Sequence, residues 1–281
     1  MSVILVKIKI KCKKLKPFSL QISAITYTSK NISLITKKII FAAQIKNKQG
    51  MSIKQQIPNT ITLANVLCGC LAILSLFQGE YMMVFWYAFI AGWLDLGDGL
   101  AARMLDVKSD LGMQLDSLAD MVTFGVLPGF VMYHLIAANI TTEPEYLAYF
   151  GFAVTISACL RLAIFNIDTR QTSNFVGVPT PANTAFIIGL LLIWHHESLN
   201  LQEFLTLPVL IFLSLLSAFL LNSSFKMFSF KMKSTKWNGN EVRYLYLLIS
   251  LALIPFVGWA IFALGFLLYV IMSILFRNKI A

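Results

Sequence analysis

Charged side chains are scarce: Asp, Glu, Lys and Arg fill 13% of the 281 positions, and hydrophobic residues 58%. Soluble domains carry about a quarter charged residues, so the composition excludes a soluble fold and implies an integral membrane protein. Cysteine is rarer still. Cys12, Cys68, Cys70 and Cys159 are scattered, and a two-residue step points Cys68 and Cys70 apart on a helix. No disulfide framework or metal knuckle follows from that spacing. Histidine is limited to His134 and the adjacent pair His195 and His196, which is expected in a polar loop, so no zinc centre is expected.

Acidic residues and arginine are absent from residues 1–50, which hold eleven lysines. Residues 51–281 hold twelve basic and thirteen acidic side chains, a balance of −1. The chain's formal +10 therefore sits in the leader, and no nucleic-acid-binding surface is implied for the rest. The leader has no uninterrupted apolar core, against a secretory signal, and its lack of Arg argues against a mitochondrial transit peptide. Two readings remain: a polybasic segment lying on anionic lipid, or residues translated only from a start assigned too early. The second is preferred, because MSIKQQIPNTIT from Met51 already opens an amphipathic first span. Residues 51–281 are expected to form one membrane-embedded domain.

Eight apolar runs follow, at about 61–77, 82–101, 112–138, 146–165, 182–194, 204–221, 244–255 and 257–276. They predict an all-α polytopic helix bundle, with six helices forming a core and two more at the C-terminal end. The seventh and eighth are expected to meet in a bend at Pro255. No period of 20–50 residues recurs, which excludes a repeat array. Loops 78–80, 139–145 and 195–203 lack Lys and Arg altogether. The alternate connections carry Arg103 and Lys108, then Arg170, then Lys226, Lys231, Lys233, Lys236 and Arg243. The positive-inside rule places these connections, and both termini, in the cytoplasm.

Against this background four carboxylates stand out: Asp95 and Asp98, three apart, and Asp116 and Asp120, four apart. On helices each pair shares one face. Intramembrane acids are costly and usually functional, and four of them repel unless a cation sits between. An all-oxygen ligand set suits Mg²⁺ or Mn²⁺ rather than zinc. Asp106 and Asp110 fall in the polar connection and are expected to be solvated. A transporter with a midplane ion site is the alternative from a different class. The acids lie at span ends beside a basic loop, which argues against it.

The run Asp95-x2-Asp98-Gly99-x2-Ala102-Arg103-x8-Gly112-x3-Asp116-x3-Asp120 resembles the signature of the CDP-alcohol phosphatidyltransferase family at all eight specified residues. Arg161-Leu162-Ala163, Phe165-Asn166, Phe175-x-Gly177-x-Pro179-x-Pro181-Ala182 and the opening Ile57-Pro58-Asn59, Thr62 and Asn65 resemble its serine-accepting branch. Two positions depart from that branch: Ile164, where many members have a second Arg, and Asn183, in place of a common Ala. Both bear on the acceptor rather than the donor. The resemblance covers about residues 51–255.

The resemblance implies a donor, CDP-diacylglycerol, attacked by an alcohol with release of CMP, and L-serine as that alcohol. It implies two divalent ions, Mg²⁺ or Mn²⁺, held by Asp95, Asp98 and Asp116. Asp120 contributes a further ligand oxygen or acts as the base that takes the hydroxyl proton. Asn59, Thr62, Gly99, Ala102, Arg103 and Gly112 are the expected donor-binding set, with Gly99 and Ala102 as a close-packed floor under the nucleotide. Arg161, Asn166 and Asn183 are expected to hold the acceptor, the Arg161 fork matching a carboxylate. Membrane lipid, a homodimer and a bacterial inner membrane are the implied partners and setting. Glycerol 3-phosphate or an inositol phosphate is the alternative acceptor. Such phosphates would need more cations than Arg161 and Arg170 supply.

The charge division generates a test. Deleting residues 1–50 leaves membrane insertion and specific activity unchanged, and intact mass of the natively expressed protein starts at or near Met51. A mass that includes the leader, with activity lost on deletion, overturns the preferred reading.

Overall fold

The first helix, α1 (Ile53–Phe77), turns back through Gln78 and Gly79 into α2 (Tyr81–Met104). Gly79 has φ +77, a left-handed conformation that costs glycine little and lets two antiparallel helices meet through three residues. The structure is a computed structural model and describes residues 53–107, 109–167, 175–196, 198–227 and 240–276. The leader, Lys108, Arg170, Lys231, Lys233 and Lys236 lie outside the described residues.

Leu105 caps the C-terminal end of α2, and Asp106 follows at φ +50, a region Asp tolerates better than most residues. Ser109 caps α3 (Asp110–Asp120), its Oγ accepting from Gly112 N at 2.9 Å. The third apolar run was expected to form one regular helix. Instead α3 passes into a π-helical stretch, Met121–Val126, before α4 (Leu127–Ala138) resumes. Pro128 explains part of this: it has no N–H to offer the carbonyl of Phe124. Thr184 Oγ1 reaches that carbonyl at 3.3 Å, and Thr155 Oγ1 donates to the carbonyl of Gly125 at 3.0 Å.

The fourth run begins as a 3₁₀ segment, Glu145–Phe152, and becomes α5 (Ala153–Ile167). Tyr133 of α4 stacks on Tyr149 and Phe152 of this segment, centroids 5.9 and 5.3 Å apart. Helix α6 (Thr180–His196) has Pro181 as its second residue, where a missing N–H costs nothing. It is buried on nearly every side from Thr180 to Ile193 and is the centre of the bundle. His195 and His196, expected in a loop, are its last two residues. His196 Nε2 lies 3.0 Å from Met82 Sδ and its ring stacks on Trp259, so side-chain packing extends the helix past its apolar run.

A 3₁₀ turn, Ser198–Phe204, leads to α7 (Leu207–Leu221), which starts later than expected because Pro208 sets its first turn. Two-residue strands β1 (Phe175–Val176) and β2 (Lys226–Met227) pair antiparallel, a small addition to an otherwise all-helical fold. The last two runs form α8 (Glu241–Val257) and α9 (Ile261–Leu275). They fold back on each other, Tyr246 meeting Tyr269 edge-on, and the turn lies at Gly258 (φ +52) rather than Pro255. Only glycine readily adopts such a backbone, whereas Pro255 is absorbed within the last turn of α8.

All eight expected runs therefore fall on helical segments. Among the described residues, four helical stretches are long and apolar enough to cross a membrane: 54–77, 110–138, 145–167 and 241–275. The last is divided by the Gly258 turn. Helix α2 is diluted by Trp, Tyr and its acids. Leu67, Trp93, Phe212, Phe219, Leu251 and Phe256 are all more than 60% or close to 60% exposed, a surface suited to lipid rather than water.

Packing of α9 on α6 is tight. A Cβ on Gly189 would stand 2.5 Å from the backbone nitrogen of Ala263, whereas one on Gly92 would meet nothing within 4 Å. Gly189→Val therefore lowers the melting temperature in detergent by roughly 5 °C, the scale of a 1–3 kcal/mol overpacking penalty in a domain of this size. Gly92→Ala does not lower it. Equal melting temperatures for both variants would refute the close approach.

Candidate active site

Helices α1 and α3 run parallel, with Asn59 near Gly112 and Asn65 on Thr123, and Asp98 near the end of α2 meets Thr62 of α1. Asp95 and Asp98 come from α2 and Asp116 from α3. Each offers a carboxylate oxygen, and the three atoms lie within 4.8 Å of one another. Asp98 is buried, and Thr62 Oγ1 of α1 donates to its Oδ2 at 2.5 Å. That bond holds Asp98 in one orientation. Asp120, one turn beyond Asp116, shares a side-chain hydrogen bond with Asp95, and its Oδ1 is buried with no hydrogen-bond partner among the described residues.

Carboxylates this close require a proton or a cation between them. The donor set is all oxygen, and an unpaired buried carboxylate oxygen points the same way, so these residues fit a divalent cation of the Mg²⁺ or Mn²⁺ type. Asp120 stands beside the group through Asp95 rather than within it. Asp106 and Asp110 are exposed, as expected of solvated acids.

On the Asp98 and Asp116 side lies a cavity of about 590 Å³, a size typical of ligand sites. Five of the six expected donor-binding residues line it: Asn59, Thr62, Gly99, Ala102 and Gly112. Gly112 is needed for a close approach, since a Cβ there would lie 3.2 Å from Asn59 Oδ1 and 3.0 Å from Ser109 Oγ. Gly99 differs from the packed floor expected of it: a Cβ there would meet nothing within 4 Å, so its smallness leaves room in the cavity. Arg103 does not line the cavity. It is exposed and its Nε donates to Gly99 O at 3.0 Å in its own helix. Gln55, Ser109 and Met113 also line the cavity and went unnoticed in the sequence. Their signal was weak, although Ser109 three residues before Gly112 is a readable helix cap.

A second cavity, about 370 Å³, is walled by Phe85, Phe89 and Trp93 of α2, Phe124, Pro181, Ile188 and Phe262. Asp95 is its one charged lining residue. The acid group thus borders two cavities, one with several polar lining side chains at Asp98 and Asp116 and an apolar one at Asp95.

The expected acceptor residues are not gathered in one place. Asn166 Oδ1 accepts from Ser117 Oγ at 2.9 Å, beside Asp116. Arg161 is half-buried, its Nη1 donating to Leu221 O at 2.7 Å next to Gly177. Asn183 is fully buried, with Ser217 Oγ donating to its Oδ1. Arg161 and Asn183 therefore meet adjacent turns of α7, and Asn166 faces α3. Gly177 has φ +75, and a Cβ there would press on Leu221 O and Arg161 Nη1, which accounts for glycine at this bend.

These features define a helical integral membrane protein with a polyacid centre at the edge of the bundle. A family model described as CDP-alcohol phosphatidyltransferase matches residues 55–220. The chain belongs to that family. It is similar to the CDP-diacylglycerol–serine O-phosphatidyltransferase of Bacillus subtilis, with 39% identity over 125 residues, 44% of this chain and 69% of the relative. A Helicobacter pylori protein of the same name is 28% identical over 230 residues, 78% of this chain and 91% of the relative. One from Methanocaldococcus jannaschii is 31% identical over 134 residues, 47% and 59% of the two chains.

The geometry sets an expectation for metal binding. Mn²⁺ binding, followed by electron paramagnetic resonance, is lost in Asp98→Asn and Asp116→Asn. In Thr62→Val it weakens by about tenfold or more, the usual cost of removing a ligand's hydrogen-bond partner. Undiminished binding in Asp98→Asn would show the ligand assignment to be wrong.

Proposed function

We propose that the protein transfers the phosphatidyl group of CDP-diacylglycerol to the hydroxyl of L-serine, giving phosphatidylserine and CMP. The observation that carries this reading is an acid group that borders both a cavity with polar lining side chains and an apolar one. A lipid joined to a nucleotide by a pyrophosphate has the same division, with its reacting phosphorus at the junction. Family membership and the names of the relatives supply the reaction class.

Asp95, Asp98 and Asp116 are assigned as the metal ligands, with Asp120 beside them. Bound there, Mg²⁺ or Mn²⁺ supplies neutralisation of the pyrophosphate and of the leaving CMP. Thr62 keeps Asp98 aimed, and Asn59, Gly99, Ala102 and Gly112 shape the space for the nucleotide. The serine oxygen forms a bond to the phosphorus that carries diacylglycerol, the bond from that phosphorus to CMP oxygen breaks, and Asp120 takes the hydroxyl proton. The apolar cavity beside Asp95 excludes water and suits an acyl chain. Arg161 is assigned the serine carboxylate and Asn166 a hydrogen bond near Asp116. The basic loops support a cytoplasmic side for the acid group and both termini, and the family resemblance is the ground for reading a homodimer.

Competition tests the acceptor. Purified protein given CDP-diacylglycerol with serine, glycerol 3-phosphate and inositol 1-phosphate together forms phosphatidylserine as the main lipid. Arg161→Lys raises the KM for serine about 10-fold or more, the scale of a lost charge-assisted hydrogen bond, and changes that for the donor less. A phosphorylated headgroup in the product would overturn the serine assignment.

A further inference from the structure

The apolar cavity beside Asp95 follows one stripe of α2. Phe85, Ala88, Phe89, Gly92, Asp95 and Leu96 line it, at the three- and four-residue steps that share a helix face. From Phe85 to Asp95 the stripe rises about 15 Å along the axis. Aromatic rings close its Phe85 end. The Phe85 and Phe262 centroids lie 5.0 Å apart, and Trp259 stands 5.3 Å from Phe85. A Cβ on Gly189 would lie 3.0 Å from the Phe262 Cβ, so α6 closes on Phe262 as well. The acid end is marked by Thr184, whose Oγ1 reaches the carbonyl of Phe124 one turn beyond Asp120, and Asp120 shares a hydrogen bond with Asp95.

Little in this slot can satisfy a polar occupant. Besides Asp95, the polar side chains lining it are Thr184, whose hydroxyl already reaches the carbonyls of Thr180 and Phe124, and Trp93 at the rim. A polar group lodged deeper would be desolvated without a partner, whereas a hydrocarbon chain needs none. Phe89, Trp93 and Leu96 are 44%, 63% and 60% exposed, so the rim opens toward lipid, while Phe85 is buried. Gly92 stands between rim and floor. A Cβ there would meet nothing within 4 Å, so the missing side chain is open space within the slot.

We propose that this slot selects the lipid donor by the length of one acyl chain, with Gly92 keeping it clear and the Phe85–Phe262 pair as its floor. The inference rests on the phosphatidyl-transfer reading and adds which feature of the lipid the protein measures. An extended chain advances about 1.25 Å per carbon, from a C–C bond of about 1.5 Å, so a depth of about 15 Å takes roughly twelve carbons. Leaving the bilayer for the slot gains a chain little, because lipid is as apolar as the protein. Selection therefore comes from fit: a short chain leaves contacts unmade, and a long one must bend out past the rim. Phe262 belongs to α9, beyond the residues 55–220 that the family model matches. The C-terminal hairpin thus supplies the floor.

Competition among donors tests this on the full chain in mixed micelles. Dihexanoyl, dilauroyl, dipalmitoyl and diarachidoyl CDP-diacylglycerols are supplied in equal amounts with whichever alcohol the wild type accepts, and the product lipids are quantified by mass spectrometry. In Gly92→Leu the added side chain points back toward Ala88 and the floor. Use of the dipalmitoyl relative to the dihexanoyl donor then falls about 5-fold or more, the scale of overpacking a filled site. Leucine is a better helix former than glycine, so this variant folds, and its Mn²⁺ affinity, read without turnover, equals that of wild type. Phe262→Ala deepens the slot and shifts preference toward the diarachidoyl donor; where it fails to fold, Gly92→Leu decides alone. A wild-type product distribution in Gly92→Leu, an equal loss for every donor, or an unshifted preference in folded Phe262→Ala would each overturn the proposal. Absence of CMP release by the wild type from every donor would overturn the phosphatidyl-transfer reading, and this inference with it.

Discussion

Mutual repulsion of carboxylates in a bundle with little water is the constraint to which the rest of the site answers. Two like charges 4 Å apart repel by roughly 4 kcal/mol at an effective dielectric of 20, while a domain's whole net stability is about 5–15 kcal/mol. Helices carrying Asp95, Asp98, Asp116 and Asp120 would part unless other contacts held them. The brace is α1. Thr62 bonds Asp98, Asn59 closes on Gly112, and Asn65 bonds Thr123, all on one face at helical spacing. Each brace is polar because it must meet a polar partner away from water.

The π-helical stretch after Asp120 is the second consequence. A wider turn leaves carbonyls without their regular partners, and Pro128 removes one donor outright. Hydroxyls from two neighbouring helices, Thr155 and Thr184, answer at Gly125 and Phe124. Thr123, within the turn, reaches α1. The irregularity is thus held from three sides immediately beyond the acid centre, in a place where a regular helix would aim Asp120 and Thr123 differently.

The two C-terminal helices extend past the residues that the family model covers, yet they touch the site's surroundings. Helix α9 lies against α6 through the Gly189–Ala263 approach and the stacked Phe186 and Phe266, with centroids 4.6 Å apart. Phe262 completes the apolar cavity that ends at Asp95. The polar cavity, in contrast, is built wholly from α1, α2, α3 and the connection between the last two. The two cavities at the acid centre therefore share α2 and otherwise draw on different parts of the chain.

Sequence alone determined the membrane character, the eight helical segments and the acid pattern, because these depend on composition and on spacing along one helix. Asp95 with Asp98 and Asp116 with Asp120 had to share faces whatever the bundle did around them. Gly112 and Pro181 were legible for the same local reason. Tertiary structure decided which helix faces meet, and so everything that depends on pairs distant in the chain. It set Thr62 on Asp98 across 36 residues and Asn65 on Thr123 across 58. It drew Asn166 to Ser117 while sending Arg161 and Asn183 to α7. It also moved the last turn from Pro255 to Gly258, where a positive φ allows α8 and α9 to pack. The π stretch belongs to this second group, since its carbonyls find their partners only when α5 and α6 are in place.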